Sequence, residues 1–282
     1  MTASTPDLSV IIVTMADRVD DVESLVALRA QAETASVDVE FIVRTDAGIT
    51  TARNRGIDAA SADKLVFVDD DALPAEGYLD AASRALDEHP VVAGRVDHPR
   101  DDVFAEFCDH YNHDVDANGR TDHVVGCNMA FRREVFEAVG YFDPALEWGH
   151  DETELIDRVR EQYDVWYDPS MQVSHSYADS VLGFWQKMWR FGPADVYYGR
   201  KSDSAAEENG GVVRTLLAPS QFRSESARGT AVKSIGRVIR NVSIAKTVAT
   251  GAVPTPRRQD TTESEALDFA AQTPRGRRRS AD

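Results

Sequence analysis

Three consecutive carboxylates stand directly behind an apolar run and are the first candidates for chemistry. Phe67 and Val68 lead into Asp69, Asp70 and Asp71. Alternate side chains of an extended chain point the same way, so Asp69 and Asp71 could share one divalent cation. Carboxylate oxygens suit Mg²⁺ or Mn²⁺, and the end of a strand in an open α/β sheet is where a phosphate-bearing substrate arrives. A solvated acidic turn, common in so acidic a protein, explains the triplet equally well.

Four further motifs accompany the triplet. They are Thr51–Gly56 upstream, and Gly126–Arg133, Val139–Pro144 and Gly149–Leu155 downstream. Together with the apolar run and its aspartates they resemble the pattern of the family 2 glycosyltransferases with the GT-A fold, which reads ARN.G, strand plus DxD, G.N.A.RR, G.FD and ED..L. The resemblance covers residues 8 to about 200. It implies a hexosyltransferase-type enzyme that moves a sugar from a nucleotide-sugar donor to an acceptor hydroxyl in one inverting displacement.

The resemblance gives roles to the acidic residues. Asp69 and Asp71 match the DxD positions, and a Mg²⁺ or Mn²⁺ ion in contact with Asp71 would neutralise charge on the departing nucleotide diphosphate. His175 matches a position that approaches the metal or the diphosphate, although it could be an ordinary buried histidine. Asp151 matches the base that deprotonates the acceptor hydroxyl. It could also only cap a helix, with Glu154 completing a capping box.

The same resemblance implies two substrate-binding sets. The donor set is Asp46, Arg53, Asp69, Asp70, Asn128 and Arg190, and the acceptor set is Trp148 and His150. Ordinary alternatives exist: a solvated charge for Arg53, satisfaction of buried backbone groups for Asn128, and core packing for Trp148. The chain departs from the family pattern in two places. The turn after the second strand is short, which leaves either Asp46 or the upstream Asp17 to take the nucleoside. In the second place, His150 stands where the family has the glutamate before the base.

Hydrophobic patterning predicts the elements that position these residues. Over the first hundred residues apolar runs alternate with helical periodicity, as in parallel strands covered by helices. The expected strands are Leu8–Val13, Val39–Val43, Lys64–Asp69 and Val91–Val96, with helices at Asp20–Ala32, Thr50–Ala60 and Ala75–Glu88. Further on, the expected strands are His123–Gly126, Val165–Asp168 and Met171–Val173, with helices at Arg132–Val139, Asp151–Gln162 and Val181–Phe191. The predicted class is α/β of the GT-A type, with a nucleotide-sugar-binding half in residues 1–100 and an acceptor half in residues 101–210.

Charge divides the chain into a body and a tail. The formal net charge of -17 splits into -24 over residues 1–211, +8 over residues 212–258 and -1 over the rest. So acidic a body makes nucleic acid a poor partner. Residues 211–253 are expected to form a basic amphipathic helical segment that either meets anionic lipid or packs on the catalytic domain. Residues 254–282 are expected to be a disordered tail.

Composition also bears on the compartment. Cys108 and Cys127 are too few for a disulfide framework, so reduced thiols in a cytosol are expected. No apolar run reaches the roughly 18 residues of a transmembrane helix, and the first residues lack signal-peptide features. The predicted location is the cytoplasm, either free or peripheral at the cytosolic face of the membrane. Only five of the 31 basic residues are lysine, a composition similar to that of proteins from extreme halophiles.

A haloarchaeal source would specify the acceptor further. Similar family 2 enzymes add sugars to dolichol-phosphate-linked chains at the cytosolic membrane face, which feed N-glycosylation of surface-layer glycoprotein. The resemblance therefore implies a glycan or lipid-linked acceptor as a partner beside the nucleotide sugar.

Two other enzyme classes fit the aspartates at 69–71 less well, and a noncatalytic binding function stays open. A nucleotidyltransferase would also place acids after a strand, but it usually has a glycine-rich basic loop after the first strand, and Thr14–Arg18 contains no glycine. A haloacid-dehalogenase-like phosphatase would need Asp-x-Asp-x-Thr or Val, which Asp69–Leu73 does not provide. A noncatalytic nucleotide-sugar-binding module stays open, and it predicts binding without turnover.

Overall fold

An eight-stranded mixed sheet forms the centre of the protein in the computed structural model, which describes residues 5–16, 18–108, 111, 117–202 and 222–255. The strands are β1 (Leu8–Val13), β2 (Val39–Arg44), β3 (Lys64–Asp69), β4 (Leu73–Pro74), β5 (Val91–Asp97), β6 (Gly119–Arg120), β7 (Asn128–Arg132) and β8 (Trp166–Ser174). Their order across the sheet is β2-β1-β3-β7-β5-β8-β4, with β6 paired to β8. Most of the expected disordered tail lies outside the described residues.

Helices cover both faces of the sheet. Within the described residues they are α1 (Glu23–Ala32), α2 (Ile49–Ala59), α3 (Tyr78–Glu88), α4 (Arg133–Val139), α5 (Asp151–Arg160), α6 (Val181–Lys201) and α7 (Ala227–Thr250). Alternation along β1 separates the two layers. Val10 and Ile12 join the cluster that contains α1 and α3, whereas Ile11 joins the cluster that contains α2, α4 and α5. The α/β class predicted from the sequence is confirmed.

The antiparallel strand β7 brings two distant motifs together. It lies between β3 and β5 and runs antiparallel to both, whereas β1 pairs in parallel with β2 and β3. In this register Val68 stands opposite Asn128. The segment Gly126–Arg133 therefore begins beside the end of β3, where the three aspartates follow.

Several predicted elements differ from the structure. The segment His123–Gly126 is not a strand: it forms a turn with an isolated bridge from Val125 to Asn128, and the strand follows as β7. The two strands predicted around residue 170 are one, β8, which passes a bulge opposite Gly94 and Arg95. Hydrophobic patterning failed here because Asp168, Pro169 and Ser170 interrupt the apolar run, while pairing on both sides keeps the chain extended.

Helix α6 continues ten residues beyond its predicted end at Phe191, through Pro193. A proline inside a helix removes one N–H donor and frees the carbonyl group four residues earlier. Here that carbonyl belongs to Trp189, and the hydroxyl of Ser243 in α7 donates to it over 2.7 Å. Gly192 permits this approach, since a side chain there would overlap Ser243. The partner helix thus supplies the hydrogen bond that the proline removes.

Helix α7 packs along α6 as part of the same body. Its Val232 joins Phe184 and Met188 of α6 in a third apolar cluster, and Trp185 donates to the carbonyl oxygen of Val232 over 3.1 Å. Of the two expectations for the basic segment, packing on the catalytic domain is therefore observed. None of the helices in the described ranges combines the length and apolar character needed to cross a membrane.

Candidate active site

The three aspartates at the end of β3 contact three different partners. Asp69 accepts a hydrogen bond from Nη2 of Arg53 over 3.2 Å. Asp70 accepts from the hydroxyl of Thr14, at the end of β1, over 2.6 Å. Asp71 extends outward, with its side chain 57% exposed, and faces His175. Burial raises the pKa of Asp70 despite the Thr14 hydrogen bond. The triplet is thus not a freely solvated turn, because its side chains contact α2, the end of β1 and the segment after β8.

Asp71 and His175 face each other and are the pair that could hold a cation. Oδ1 of Asp71 lies 3.3 Å from Nε2 of His175, and the other ring nitrogen, Nδ1, lies 2.8 Å from the hydroxyl of Tyr111. A partner on one ring nitrogen orients the other, as in histidine ligands of metals. Burial by itself would lower the pKa of His175, but its contacts with Cys127 and Asp71 raise it to about 11. A cation at Nε2 would therefore have to displace a proton from the imidazole when it binds.

This donor set fits Mg²⁺ or Mn²⁺ only together with substrate oxygens. Among the residues that the structure describes, no group of three or more histidine, cysteine or acidic side chains is arranged to hold a metal. Mg²⁺ is commonly held by one or two carboxylates and the phosphates of a substrate, so a preformed cage is not required. Asp69, predicted to share the cation with Asp71, is engaged by Arg53 instead.

Arg53 connects the triplet to the second acidic motif. Its side chain is 3% exposed, forms an ion pair with Asp151, and donates to Asp69 and to the carbonyl oxygen of Gly126 over 3.0 Å. Burial opposes the charge on Arg53, but the carboxylates of Asp151 and Asp69 outweigh it and raise its pKa. The solvated-charge alternative for Arg53 therefore does not apply. One guanidinium group holds together residues from α2, β3 and α5.

Asn54, which sequence reasoning passed over, explains why two of the motifs occur together. Its side-chain amide donates to the carbonyl oxygen of Phe142 over 2.9 Å and accepts from the N–H of Phe142 over 3.0 Å. Asn54 is 2% exposed, and Phe142 packs against Phe67 of β3. Asn54 could have been noticed in the sequence, because it is the asparagine of the ARN.G motif, between Arg53 and Arg55. Its structural role depends on a partner 88 residues away.

Asp151 is the first residue of α5 and is 4% exposed. The capping box predicted as its plainer alternative is not seen. His150 is the N-cap of α5, and the backbone N–H of Glu154 donates to the carbonyl oxygen of His150 over 2.8 Å. The next residue, Glu152, was not considered a candidate. Burial and the adjacent charge of Asp151 raise the pKa of Glu152 to about 8. Counted back from Leu155, Asp151 and Glu152 also occupy the two acidic positions of the ED..L pattern, so the sequence did contain this signal.

Trp148 and Arg190 lie together although the sequence assigned them to different substrates. The guanidinium carbon of Arg190 stands 4.4 Å from the centre of the Trp148 ring. The indole is 47% exposed, so it is not a core residue. His150, the other residue predicted to bind the acceptor, turns to α6: its Nε2 lies 2.7 Å from Asp195, and its ring stacks on Tyr198.

Asn128 and Asp46 are engaged within the protein. Asn128 is fully buried; it accepts from the hydroxyl of Tyr78 over 2.8 Å and donates to the carbonyl oxygens of Arg95 and Met171. Three hydrogen bonds to protein groups correspond to the structural alternative for Asn128 rather than to donor contact. Asp46 follows β2 and forms ion pairs with Arg44 and Arg55.

Comparison with known protein families finds a match in the N-terminal half of the chain. Residues 6–140 match the sequence model of glycosyl transferase family 2. The matched segment runs from β1 to the end of α4 and contains Arg53 and all three aspartates, whereas Asp151 lies beyond it. No curated protein matches the chain.

Solved structures extend the comparison to the rest of the fold. A crystal structure of GalNAc-T7 with UDP, GalNAc and Mn²⁺ superposes with a TM-score of 0.53 at 13% identity, over 88% of this chain and 58% of that one. The mannosyltransferase PcManGT from Pyrobaculum calidifontis, solved with GDP-Man and Mn²⁺, gives a TM-score of 0.48 at 19% identity, over 90% and 77%. The likeness to GalNAc-T7 confirms the predicted GT-A fold.

Proposed function

We propose that the protein is a family 2 glycosyltransferase that moves a sugar from a nucleotide-sugar donor to an acceptor hydroxyl with inversion. The observation that carries this proposal is the buried Arg53, which joins Asp69 at the end of β3 to Asp151 at the start of α5. In this proposal Asp69 is the donor-side carboxylate and Asp151 the acceptor-side carboxylate, and both pair with the one guanidinium group of Arg53. The family match over residues 6–140 supports the same assignment.

A divalent cation, Mg²⁺ or Mn²⁺, is proposed as the cofactor. Asp71 and His175 would hold it, and the diphosphate of the donor would complete its ligand set. When bound, the cation supplies positive charge that stabilises the leaving nucleotide diphosphate. The GalNAc-T7 structure with the same fold contains Mn²⁺ and UDP.

The acceptor hydroxyl loses its proton to a carboxylate at the start of α5. We assign this base to Asp151, a buried carboxylate at the start of α5 that is paired with the guanidinium group of Arg53. Single displacement from the face opposite the leaving group inverts the anomeric carbon, and one base suffices for it. Trp148, exposed beside this site, offers a flat apolar surface for an acceptor sugar.

The test of this function is binding together with turnover. Calorimetry with a panel of nucleotide sugars, in concentrated KCl with Mn²⁺ or with chelator, is expected to show one donor whose binding requires the cation. Transfer from that donor to a glycan or lipid-linked acceptor should then follow. Binding without transfer or hydrolysis would instead identify a noncatalytic nucleotide-sugar-binding module. Release of pyrophosphate from a nucleoside triphosphate supplied with a sugar 1-phosphate would indicate a nucleotidyltransferase.

The acceptor is proposed to be lipid-linked, at the cytosolic face of a membrane. On the exposed side of α7, apolar residues recur every three or four positions and form an outer stripe of Ala231, Ile235, Val238, Val242, Ala245 and Ala249. The helix carries five basic residues and no acidic one, in a chain of net charge -17. An apolar stripe on a basic helix complements an anionic lipid surface. A dolichol-phosphate-linked glycan of a halophile's surface-layer pathway is an acceptor of this class.

Vesicle flotation tests this membrane contact. We expect the protein to float with vesicles containing phosphatidylglycerol and to do so less as salt rises, because salt screens charge attraction. Val238→Asp should weaken flotation roughly tenfold, since it places a charge in the apolar boundary. Val26→Asp on α1 is the matched control, because the two valines are 54% and 53% exposed. Equal flotation of both variants, or dimers that dissociate with Val238→Asp, would contradict lipid as the occupant.

A further inference from the structure

One carboxylate of α6 links helix α7 to the turn that precedes the acidic pair of α5. Asp195, in the middle of α6, accepts two hydrogen bonds from Arg240 of α7, from Nε over 2.7 Å and from Nη2 over 2.5 Å. Such a bidentate pair fixes both side chains in orientation. The side chain of Asp195 is 15% exposed and that of Arg240 21%. Burial disfavours the charge on Asp195, but its hydrogen bonds with Arg240 and His150 lower its pKa.

The same carboxylate holds His150. Oδ1 of Asp195 lies 2.7 Å from Nε2 of His150, and the imidazole stacks on Tyr198 with ring centres 4.7 Å apart. Two residues of α6, one helical turn apart, therefore hold the imidazole ring by its edge and by its face. The contacts thus lead from Arg240 to Asp195 and from Asp195 to His150. The backbone then continues from His150 into the acidic pair, Asp151 and Glu152.

The backbone at this turn has positive φ angles, which cost energy for a residue other than glycine. His150 has a φ of 62°, in the left-handed region, and it is the one residue other than glycine with positive φ in the described chain. Gly149 has a φ of 82°, and a side chain there would overlap the ring of Phe191 in α6. A non-glycine residue persists in such a conformation only when its surroundings impose it. Here α6 imposes it, and α7 fixes the α6 carboxylate that does so.

We propose that Arg240 is a positioning residue for the reaction, acting through Asp195 and His150 on the placement of Asp151 and Glu152. The inference rests on the proposed function, since it concerns the orientation of the acidic pair at the same site. Arg240 touches neither carboxylate and does no chemistry. The C-terminal helix is accordingly part of the catalytic unit, in addition to any contact that its outer stripe makes with lipid.

Substitution of Arg240 should separate rate from binding. For Arg240→Gln we expect kcat to fall about 10- to 100-fold with the donor KM changed less than twofold, because small displacements of a base slow the chemical step strongly. Arg240→Lys retains the charge and should recover part of the rate. Arg228→Gln is the matched control, since Arg228 lies exposed on the same helix. His150→Asn is a second variant, because asparagine tolerates left-handed backbone but is too short to keep this contact.

Hydrogen–deuterium exchange gives a readout that does not need activity. Amides of residues 148–152 should exchange faster in Arg240→Gln than in the wild type or in Arg228→Gln, while amides of β1 and β3 stay protected. Unchanged exchange at this turn, or a normal kcat in Arg240→Gln, would overturn the inference. A wild type that transfers no sugar from any donor would count against the proposed function instead, and the exchange comparison would still decide the role of Arg240.

Discussion

Asp71→Asn is expected to abolish cation-dependent binding of the donor. The variant keeps the size of the side chain but removes the negative charge that faces His175 at 3.3 Å. A neutral amide is a poor ligand for Mg²⁺ or Mn²⁺. Because Asp71 and His175 are the two side chains proposed to hold the cation, this substitution leaves His175 as the one remaining protein ligand. We expect donor affinity in Mn²⁺ to fall at least about 100-fold, to the value that the wild type shows with chelator.

The fold should tolerate this change. The Asp71 side chain is 57% exposed, and asparagine keeps a side-chain oxygen that can accept from the largely buried His175. Glu76→Gln, at an exposed carboxylate in the loop before α3, is the matched control and should bind the donor as the wild type does. Calorimetric titrations with Mn²⁺ and with chelator, on all three proteins, make the comparison. Cation-dependent binding that survives in Asp71→Asn would remove Asp71 from the metal site.

The sequence predicted the strand-end carboxylates well because their position follows from local patterning. Lys64–Asp69 is a short continuous apolar run between two charged residues, as a strand buried on both faces should be, and the structure gives the same bounds. Local patterning could not predict which side chains the three aspartates contact. That Asp69 faces Arg53 while Asp71 faces His175 depends on α2 and β8, which lie far apart in the chain. Local alternation predicted a shared direction for Asp69 and Asp71. The chain instead turns at Asp70 and Asp71, where the N–H of Ala72 donates to the carbonyl oxygen of Asp69, so the two side chains separate.

The acceptor side was predicted less well, for a related reason. Patterning ended α6 before Gly192 and Pro193, since those residues break an isolated helix. Ser243 of α7 satisfies the freed carbonyl, so the helix continues and brings Asp195 and Tyr198 up to His150. His150, which was predicted to meet the acceptor, is thereby engaged by side chains of α6. No sequence window contains both Pro193 and Ser243, so this outcome depends on packing between helices.

Asp151→Asn is expected to remove transfer while leaving donor binding unchanged. Loss of a general base typically slows a reaction by about 10² to 10⁴, and we expect kcat to fall within that range. Glu152→Gln should have little effect at pH 7. A carboxyl group with a pKa of about 8 is mostly protonated there, and glutamine resembles the neutral acid. The two variants change adjacent residues by the same chemistry, so each is the control for the other.

The pH profile separates the two carboxylates further. In the wild type, Glu152 ionises as the pH rises through about 8 and places a second negative charge beside Asp151. The rate should therefore change near that pH, and Glu152→Gln should remove the change while keeping the rate at pH 7. If Glu152→Gln loses transfer as completely as Asp151→Asn, and the wild-type rate rises with the ionisation near pH 8, the base is Glu152. The proton acceptor would then sit one residue further into α5, where burial rather than an arginine sets its affinity for the proton.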